Sequence, residues 1–126
     1  MDHEYSISGK LWIGERRAAP PQEYLFTDNL FAISCCQGRT QNDDATHIIA
    51  PQDPRIAERF SEKDLCALCC LLSQEFGARV RMEKLHEEYG LLNVFNGGSD
   101  YEVVSADRFV CEYESGKEIR CGRTRI

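Results

Sequence analysis

The sequence predicts an α+β fold, in which an antiparallel sheet of about five to seven strands packs on one central apolar helix over residues 61–76. Three observations lead to this prediction. Short extended segments fill the first half, one strong helical stripe follows, and alternating segments separated by turn residues fill the remainder. With 126 residues, 42% apolar and 29% charged, the composition is that of a folded globular protein. We expect one domain spanning residues 1–126.

Prolines and turn residues divide the first half into short extended segments. Apolar side chains alternate with polar or small ones over residues 5–13, which predicts a strand that ends before Pro20 and Pro21. Two further strands are predicted over residues 30–36 and 46–50, and the turn at residues 51–54 closes the second of them. The first half is therefore expected to contribute strands to the sheet.

A helix start is clearly marked before the apolar stretch in the middle of the chain. Ser61 followed by Asp64 resembles a capping box with Asp in place of the usual Glu, and Gly77 supplies the stop. A single helical stripe lies between them, formed by Leu65, Leu68, Cys69, Leu72 and Phe76. Since Cys66, Ala67, Cys70 and Leu71 widen this stripe, we expect cover on two sides, from the sheet and N-terminal segments or from a second subunit.

The last third predicts a β-meander. Residues 78–90 fit both periodicities, and we expect a strand at their start and a helical turn before Gly90. Residues 91–96 and 101–106 flank a turn at 97–100, which predicts a hairpin with Val94 opposite Val103. In the final hairpin, a three-residue loop at 114–116 would place Cys111 opposite Ile119 and Phe109 opposite Cys121, matching the apolar sets on one side.

Charge and hydropathy bear on location and partners. Fifteen Lys and Arg against 21 Asp and Glu give a net charge of −6, which repels phosphate backbones, so no nucleic acid is expected. The start lacks a basic region and an apolar run, so no signal peptide is expected. The longest apolar stretch, residues 65–72, is too short to cross a bilayer. These features favour a cytoplasmic protein that contacts no membrane.

Seven cysteines in a chain without a secretory signal favour reduced thiols. Cys66 and Cys69 have the C-x-x-C spacing of zinc and redox sites, but each of those sites needs further evidence. Cys111 and Cys121 are ten residues apart, and the histidines are scattered along the chain. Core packing is therefore the favoured interpretation of the thiols, and neither a metal nor another cofactor is expected.

Polar side chains concentrate at residues 41–47. Asp43, Asp44 and His47 are candidate metal ligands, or a His base oriented by Asp with Cys35 or Cys36 as nucleophile. The simpler interpretation is a solvated turn that leads into a strand. Elsewhere, His86 is expected to be packed or half-exposed on a helical face. Trp12 is expected in the core or on a sheet face, with an interface anchor as the alternative.

The standard nucleotide-binding, hydrolase and zinc-protease motifs are missing. The sequence therefore predicts a small acidic, non-catalytic protein that binds another protein as an inhibitor, an immunity-type protein or a regulator. The predicted partner-binding residues are Trp12, Tyr101, Glu102, Glu112 and Tyr113. The alternative is a small enzyme or ligand-binding domain that uses Asp43, Asp44 and His47. A homodimer is compatible with either.

Overall fold

The computed structural model describes residues 2–14, 23–26, 29–36 and 44–126. These residues form one seven-stranded antiparallel sheet, of order β2-β3-β4-β1-β5-β6-β7, and two helices. The elements are β1 Asp2–Trp12, β2 Glu23–Phe26, β3 Phe31–Cys35, β4 His47–Pro51, α1 Ile56–Arg59, α2 Glu62–Glu75, β5 Arg79–Phe95, β6 Gly98–Glu114 and β7 Lys117–Arg125. The predicted α+β class is confirmed at this level, whereas the single-domain organisation stays a prediction. Neither helix of the described residues has the length and apolar character needed to cross a bilayer.

Strand β1 lies in the middle of the sheet, between β4 and β5. Its alternation buries Ile7 and Leu11 on the face that carries the core. Gly9 lies on the same face, opposite Ile49 on one side and Met82 on the other. A Cβ atom on Gly9 would lie 3.0 Å from the Ile49 Cβ and 3.2 Å from the Met82 Cγ. The sheet is therefore packed tightly at its centre because this position carries no side chain.

Helix α2 begins and ends where the sequence predicts. The Asp64 amide donates to the Ser61 hydroxyl at 3.1 Å, and the Asp64 carboxylate accepts the Ser61 amide at 3.4 Å, which completes a capping box. Gly77 follows the helix with φ of 55°, a left-handed conformation that favours glycine. The helix packs mainly on β5 and β6. Ala67 and Leu71, which widen its apolar stripe, are exposed.

Residues 79–95 form one continuous strand, β5, so the helical turn predicted before Gly90 is wrong. The pairing of β1 with β5 runs without interruption from Trp12 opposite Arg79 to Asp2 opposite Tyr89. Pairing with β1 satisfies backbone hydrogen-bonding groups of residues 79–89. This stabilisation outweighs the helical spacing of a few apolar side chains. Strand β2 and the short helix α1 were not predicted.

The β5–β6 register differs from the predicted one. Val94 lies opposite Ser99, and Val103 lies opposite Tyr89, because the chain reverses in a two-residue Asn-Gly turn at 96–97 instead of the glycine-rich turn at 97–100. Gly97 has φ of 87°, a conformation that favours glycine. The turn begins one residue earlier than predicted, and two register shifts along the β5–β6 ladder change the remaining pairs.

The β6–β7 hairpin also turns in two residues, Ser115 and Gly116, with φ of 48° and 86°. The predicted three-residue loop is therefore wrong. A hydroxyl and a carbonyl outside the hairpin hold the turn, since the Gly116 amide donates to the Ser73 hydroxyl at 2.9 Å and the Ser115 amide donates to the Ala78 carbonyl at 3.2 Å. The turn is thus fixed against the C-terminal end of α2.

A bulge on β7 shifts the β6–β7 register after the short turn. Ile119 is the extra residue, and beyond it Cys111 lies directly opposite Cys121 while Phe109 lies opposite Arg123. Both pairs differ from the predicted Cys111–Ile119 and Phe109–Cys121 pairs. A sequence reading that allows only regular ladders cannot reach this register.

Candidate interaction surface

Strands β5 and β6 extend well beyond their neighbours. Pairing with β1 ends at Tyr89, and pairing with β7 ends at Asp107. Residues 90–105 therefore project as a two-stranded hairpin, which we call the arm. No third strand of the described residues pairs with it. An isolated two-stranded hairpin has little stability of its own in water, so the projection of the arm beyond the sheet calls for an explanation.

The arm concentrates exposed apolar side chains. Six of the ten large apolar side chains exposed in the described residues belong to it: Leu91 (58%), Leu92 (60%), Val94 (66%), Tyr101 (55%), Val103 (45%) and Val104 (53%). Single exposed apolar residues are normal on a protein surface, but a contiguous group is typical of an interaction site.

Four aromatic and apolar side chains share one face of the arm and its root. Leu91 lies opposite Tyr101, and Tyr89 lies opposite Val103. Directly opposite residues point to the same face, and so do residues two apart on a strand. We call this group of four the apolar face. It combines two tyrosines with two aliphatic side chains in adjacent cross-strand pairs.

The arm is acidic. Residues 87–106 contain Glu87, Glu88, Asp100 and Glu102 and no Lys or Arg. Asp100 and Glu102 are exposed. They alternate with Tyr101 and Val103 along β6, so both carboxylates lie on the face of the arm opposite the apolar face.

The structure does not bring the predicted partner-binding residues together. Tyr101 and Glu102 are exposed on the arm. Trp12 is half-buried at the end of β1, where the guanidinium carbons of Arg79 and Arg81 lie 4.3 and 5.4 Å from its ring centroid. This arrangement is a cation–π stack on a sheet face.

Glu112 and Tyr113 have mainly structural contacts. Glu112 is buried, and its carboxylate accepts from Arg79 at 2.5 Å and from Arg120 at 3.2 Å. The Tyr113 ring packs against the core, its hydroxyl donates to Glu118 at 3.3 Å, and burial raises its pKa above the usual value. Both residues are less exposed than Tyr101 and Glu102.

The described part of the polar segment, residues 44–47, does not bring its candidate side chains together. Asp43 lies outside the described residues. Asp44 is exposed with φ of 60°, whereas His47 is buried on the core side of β4. No hydrogen bond or ion pair joins these two described side chains, so the pairing of an Asp with a His base is not formed between them.

His47 instead contacts a thiol and a hydroxyl. Its Nε2 lies 3.4 Å from the Cys35 Sγ, and its Nδ1 lies 2.9 Å from the Thr46 Oγ1. Because the Thr46 hydroxyl donates its one proton to the Leu11 carbonyl at 3.0 Å, Nδ1 must be the donor to Thr46. The bare Nε2 therefore accepts the Cys35 thiol proton.

Burial lowers the pKa of His47. The neutral imidazole is thus the favoured form, which works against a thiolate–imidazolium pair with Cys35. The His47 Nδ1 contacts the Thr46 hydroxyl and not a carboxylate, which would raise the basicity of the ring. The contacts satisfy a buried histidine and leave its Nε2 facing a partly accessible thiol.

All seven cysteines are free thiols. The Sγ atoms of Cys66 and Cys121 lie 2.8 Å apart, and burial raises the pKa of both thiols, that of Cys121 to about 12. Cys69 and Cys111 are buried and donate to backbone carbonyls at 3.3 and 3.7 Å. A raised pKa makes a thiol a poor nucleophile and a poor metal ligand, and buried thiols bonded to carbonyls pack as small apolar side chains do, which favours packing as the role of these cysteines.

The β1–β5 pairing produces one cluster that the sequence did not reveal. His3, His86 and Glu88 come together on one face, although their positions along the chain are far apart. Only the register between β1 and β5 could have indicated this cluster, and the helical turn predicted before Gly90 does not contain that register.

No protein-family model, curated protein or solved structure matches this chain. The residues and contacts described above are therefore the basis of its functional interpretation.

Proposed function

We propose that this chain is a non-catalytic binding protein that docks on another protein through its arm, as an inhibitor, an immunity-type protein or a regulator. The observation that carries this proposal is the apolar face exposed on a hairpin that projects beyond the sheet. Removing Leu91, Tyr101 and Val103 from water would favour association, and the tyrosines supply rigid contact area with a polar end. Within the described residues, Leu91, Tyr101 and Val103 are exposed to solvent.

The arm favours a partner with an apolar groove flanked by basic residues. Four acidic and no basic side chains in residues 87–106 provide charge complementarity to such a groove. The open edges of the arm also offer backbone groups for strand addition. Contacts of this kind combine main-chain hydrogen bonds with pockets for alternate side chains.

A second copy of the chain suits the arm less well. Two arms would bring like charges together, and the arginines of β7 are already bonded within the chain: Arg120 to Glu112, Arg123 to Glu62 and Arg125 to Asp107. The homodimer remains a prediction that light scattering at several concentrations will test. A dimer abolished by changes in the apolar face would replace the proposed partner with a second copy.

The test places a photo-crosslinking amino acid at Tyr101 in the cells that make the protein. The same label at Ile119, which is 50% exposed on β7, is the matched control. A partner that crosslinks from position 101 and not from 119 is then purified for affinity measurements. We expect L91S/Y101S to weaken binding at least about tenfold, as loss of interface anchors does, and I119S to leave it unchanged. Equal affinities for the two variants would refute a role for the arm.

The contact between Cys35 and His47 supports a second candidate, the small enzyme or ligand-binding domain, with Cys35 as its nucleophile. Native-state alkylation distinguishes the two. A functional pair makes Cys35 react faster near neutral pH in the wild type than in His47→Gln. Equal Cys35 rates in the two proteins would leave the contact with a structural role only.

A further inference from the structure

Strand pairing places three potential metal ligands on one face of the sheet, at the root of the arm. His3 on β1 lies opposite Glu88 on β5, and the next pair on the same face is Tyr5 opposite His86. Residues two apart on a strand point to the same side, so His3, His86 and Glu88 face one another across two neighbouring strands. Positions on strands of one sheet are held more precisely than positions on loops.

The three ligand atoms have the separation that a bound metal requires. The His3 Nδ1 lies 3.0 Å from the His86 Nε2, the Glu88 Oε1 lies 3.8 Å from the His3 Nδ1, and it lies 4.0 Å from the His86 Nε2. A triangle with these sides has a circumscribed radius of about 2.1 Å, which matches the bond length of about 2.0–2.2 Å from zinc to imidazole nitrogen or carboxylate oxygen. A shift of about 0.5 Å in the Glu88 carboxylate then allows tetrahedral coordination.

Aromatic stacking fixes the orientation of the imidazole rings. The His86 ring is stacked on Tyr5, with centroids 4.4 Å apart and 9° between planes, and on His3, with 5.3 Å and 10°. Tyr5 in turn packs against the hydrophobic core. The His3 Nδ1 and the His86 Nε2 are 3.0 Å apart, a hydrogen-bond distance at which one nitrogen donates its proton to the other, and a metal that binds both nitrogens displaces that proton.

We propose that His3, His86 and Glu88 bind a divalent transition metal, for which Zn²⁺ is the representative ion. Two imidazoles and one carboxylate suit zinc and its neighbours, whereas Mg²⁺ and Ca²⁺ prefer oxygen ligands alone. Three protein ligands leave a coordination position for water. His86 also lines a cleft of about 190 Å³ with Tyr5 and Lys84, which gives room for water or a small molecule beside the metal.

The bound metal would also join β1 to β5 next to the arm. One ligand belongs to the end of β1 and two belong to β5, so the ion crosslinks the last pairs of that ladder. Since the ion binds the folded chain, it raises the melting temperature, and the rise grows with the logarithm of the free metal concentration once that concentration exceeds the dissociation constant. This role is independent of the docking proposed for the arm.

The test uses full-length protein without a histidine tag, stripped with a chelator, in a C66S/C121S background that removes the closest thiol pair. Zn²⁺ is titrated calorimetrically, and Co²⁺ is used as a spectroscopic probe. We expect one ion per chain, with affinity reduced more than about 100-fold in H3Q and in H86Q, beyond the 10–100-fold typical of outer-shell changes. H47Q is the matched histidine control, and E87Q, on the opposite sheet face, is the carboxylate control; both keep the affinity.

Three results would overturn the proposal. The first is the absence of saturable Zn²⁺ binding in the C66S/C121S background. The second is binding that H3Q and H86Q leave unchanged, and the third is a Co²⁺ spectrum with a thiolate charge-transfer band. Circular dichroism of each variant keeps folding separate from binding, and His3 is about half-exposed, so H3Q tests the site even if H86Q fails to fold.

Discussion

Gly9→Ala tests how tightly the centre of the sheet is packed. The new methyl group would lie 3.0 Å from the Ile49 Cβ and 3.2 Å from the Met82 Cγ. Both distances are shorter than ordinary van der Waals contacts, and the Ile49 Cβ is attached to the backbone of the paired strand, so it cannot rotate away. The extra carbon therefore pushes β1 and β4 apart.

Two opposing effects set the size of the loss. Overpacking a filled core costs about 1–3 kcal/mol. Replacing glycine where an alanine conformation is allowed returns about 0.4–1 kcal/mol through the unfolded chain. The net destabilisation is about 1–2 kcal/mol. For 126 residues the unfolding entropy is about 0.26 kcal/mol/K, so the melting temperature falls by about 4–8 °C.

Thermal unfolding by circular dichroism in reducing buffer measures this shift, with a urea titration as a second measurement. Gly122→Ala is the matched control, because a Cβ at Gly122 on strand β7 would meet nothing within 4 Å. We expect this variant to be as stable as the wild type or slightly more so. A Gly9→Ala protein that melts with the wild type, or a Gly122→Ala protein that loses as much stability, would refute the packing argument.

Three other changes probe the helix and the buried histidine. Ser61→Ala removes one half of the capping box and should cost about 1 kcal/mol in urea unfolding, whereas Ser8→Ala on the exposed side of β1 should cost little. Leu72→Ala should cost about 2–5 kcal/mol because Leu72 is 1% exposed, while Leu71→Ala, at a side chain 57% exposed, should cost less than about 0.5 kcal/mol; equal midpoints would contradict the placement of the helix. Because the pKa of His47 is lowered by burial, the unfolded chain binds a proton at higher pH than the folded chain, and stability should fall as pH drops below the ordinary histidine value of 6.5. Urea unfolding from about pH 8 to about pH 5 should show a steeper decline for the wild type than for His47→Gln, and parallel curves would rule out that linkage.

Local signals in the sequence predicted helix α2 well. The Ser61–Asp64 capping box and Gly77 act through contacts within a few residues, so no knowledge of the fold is needed to read them. The class of fold follows from the same kind of information, because alternation and turn residues mark most strands. Residues 82–89 show where local signals fail, since pairing with β1 holds them extended although their apolar side chains have helical spacing.

Register was the part that the sequence could not supply. The bulge at Ile119 changes every pair beyond it, and a bulge leaves no signal in an alternating pattern of apolar residues. The His3–His86–Glu88 cluster depends on register in the same way, because its members meet only when β1 and β5 pair at one alignment. Tyr101 and Glu102 were selected as aromatic and acidic residues of a predicted strand, but the projecting arm that exposes them follows from the unequal lengths of neighbouring strands.

The position of β1 also governs the order in which the chain can assemble. This strand is the first along the sequence and yet the central one in the sheet, so its two neighbours arrive only after residues 47–51 and 79–95 have been brought back to it. The long segments between β1 and its neighbours must close into loops before the strands can pair. This entropic cost slows folding to about 10⁻³–1 s, as is typical of nonlocal β topologies. Until β5 returns, one edge of β1 stays unpaired, and assembly at high concentration competes with aggregation.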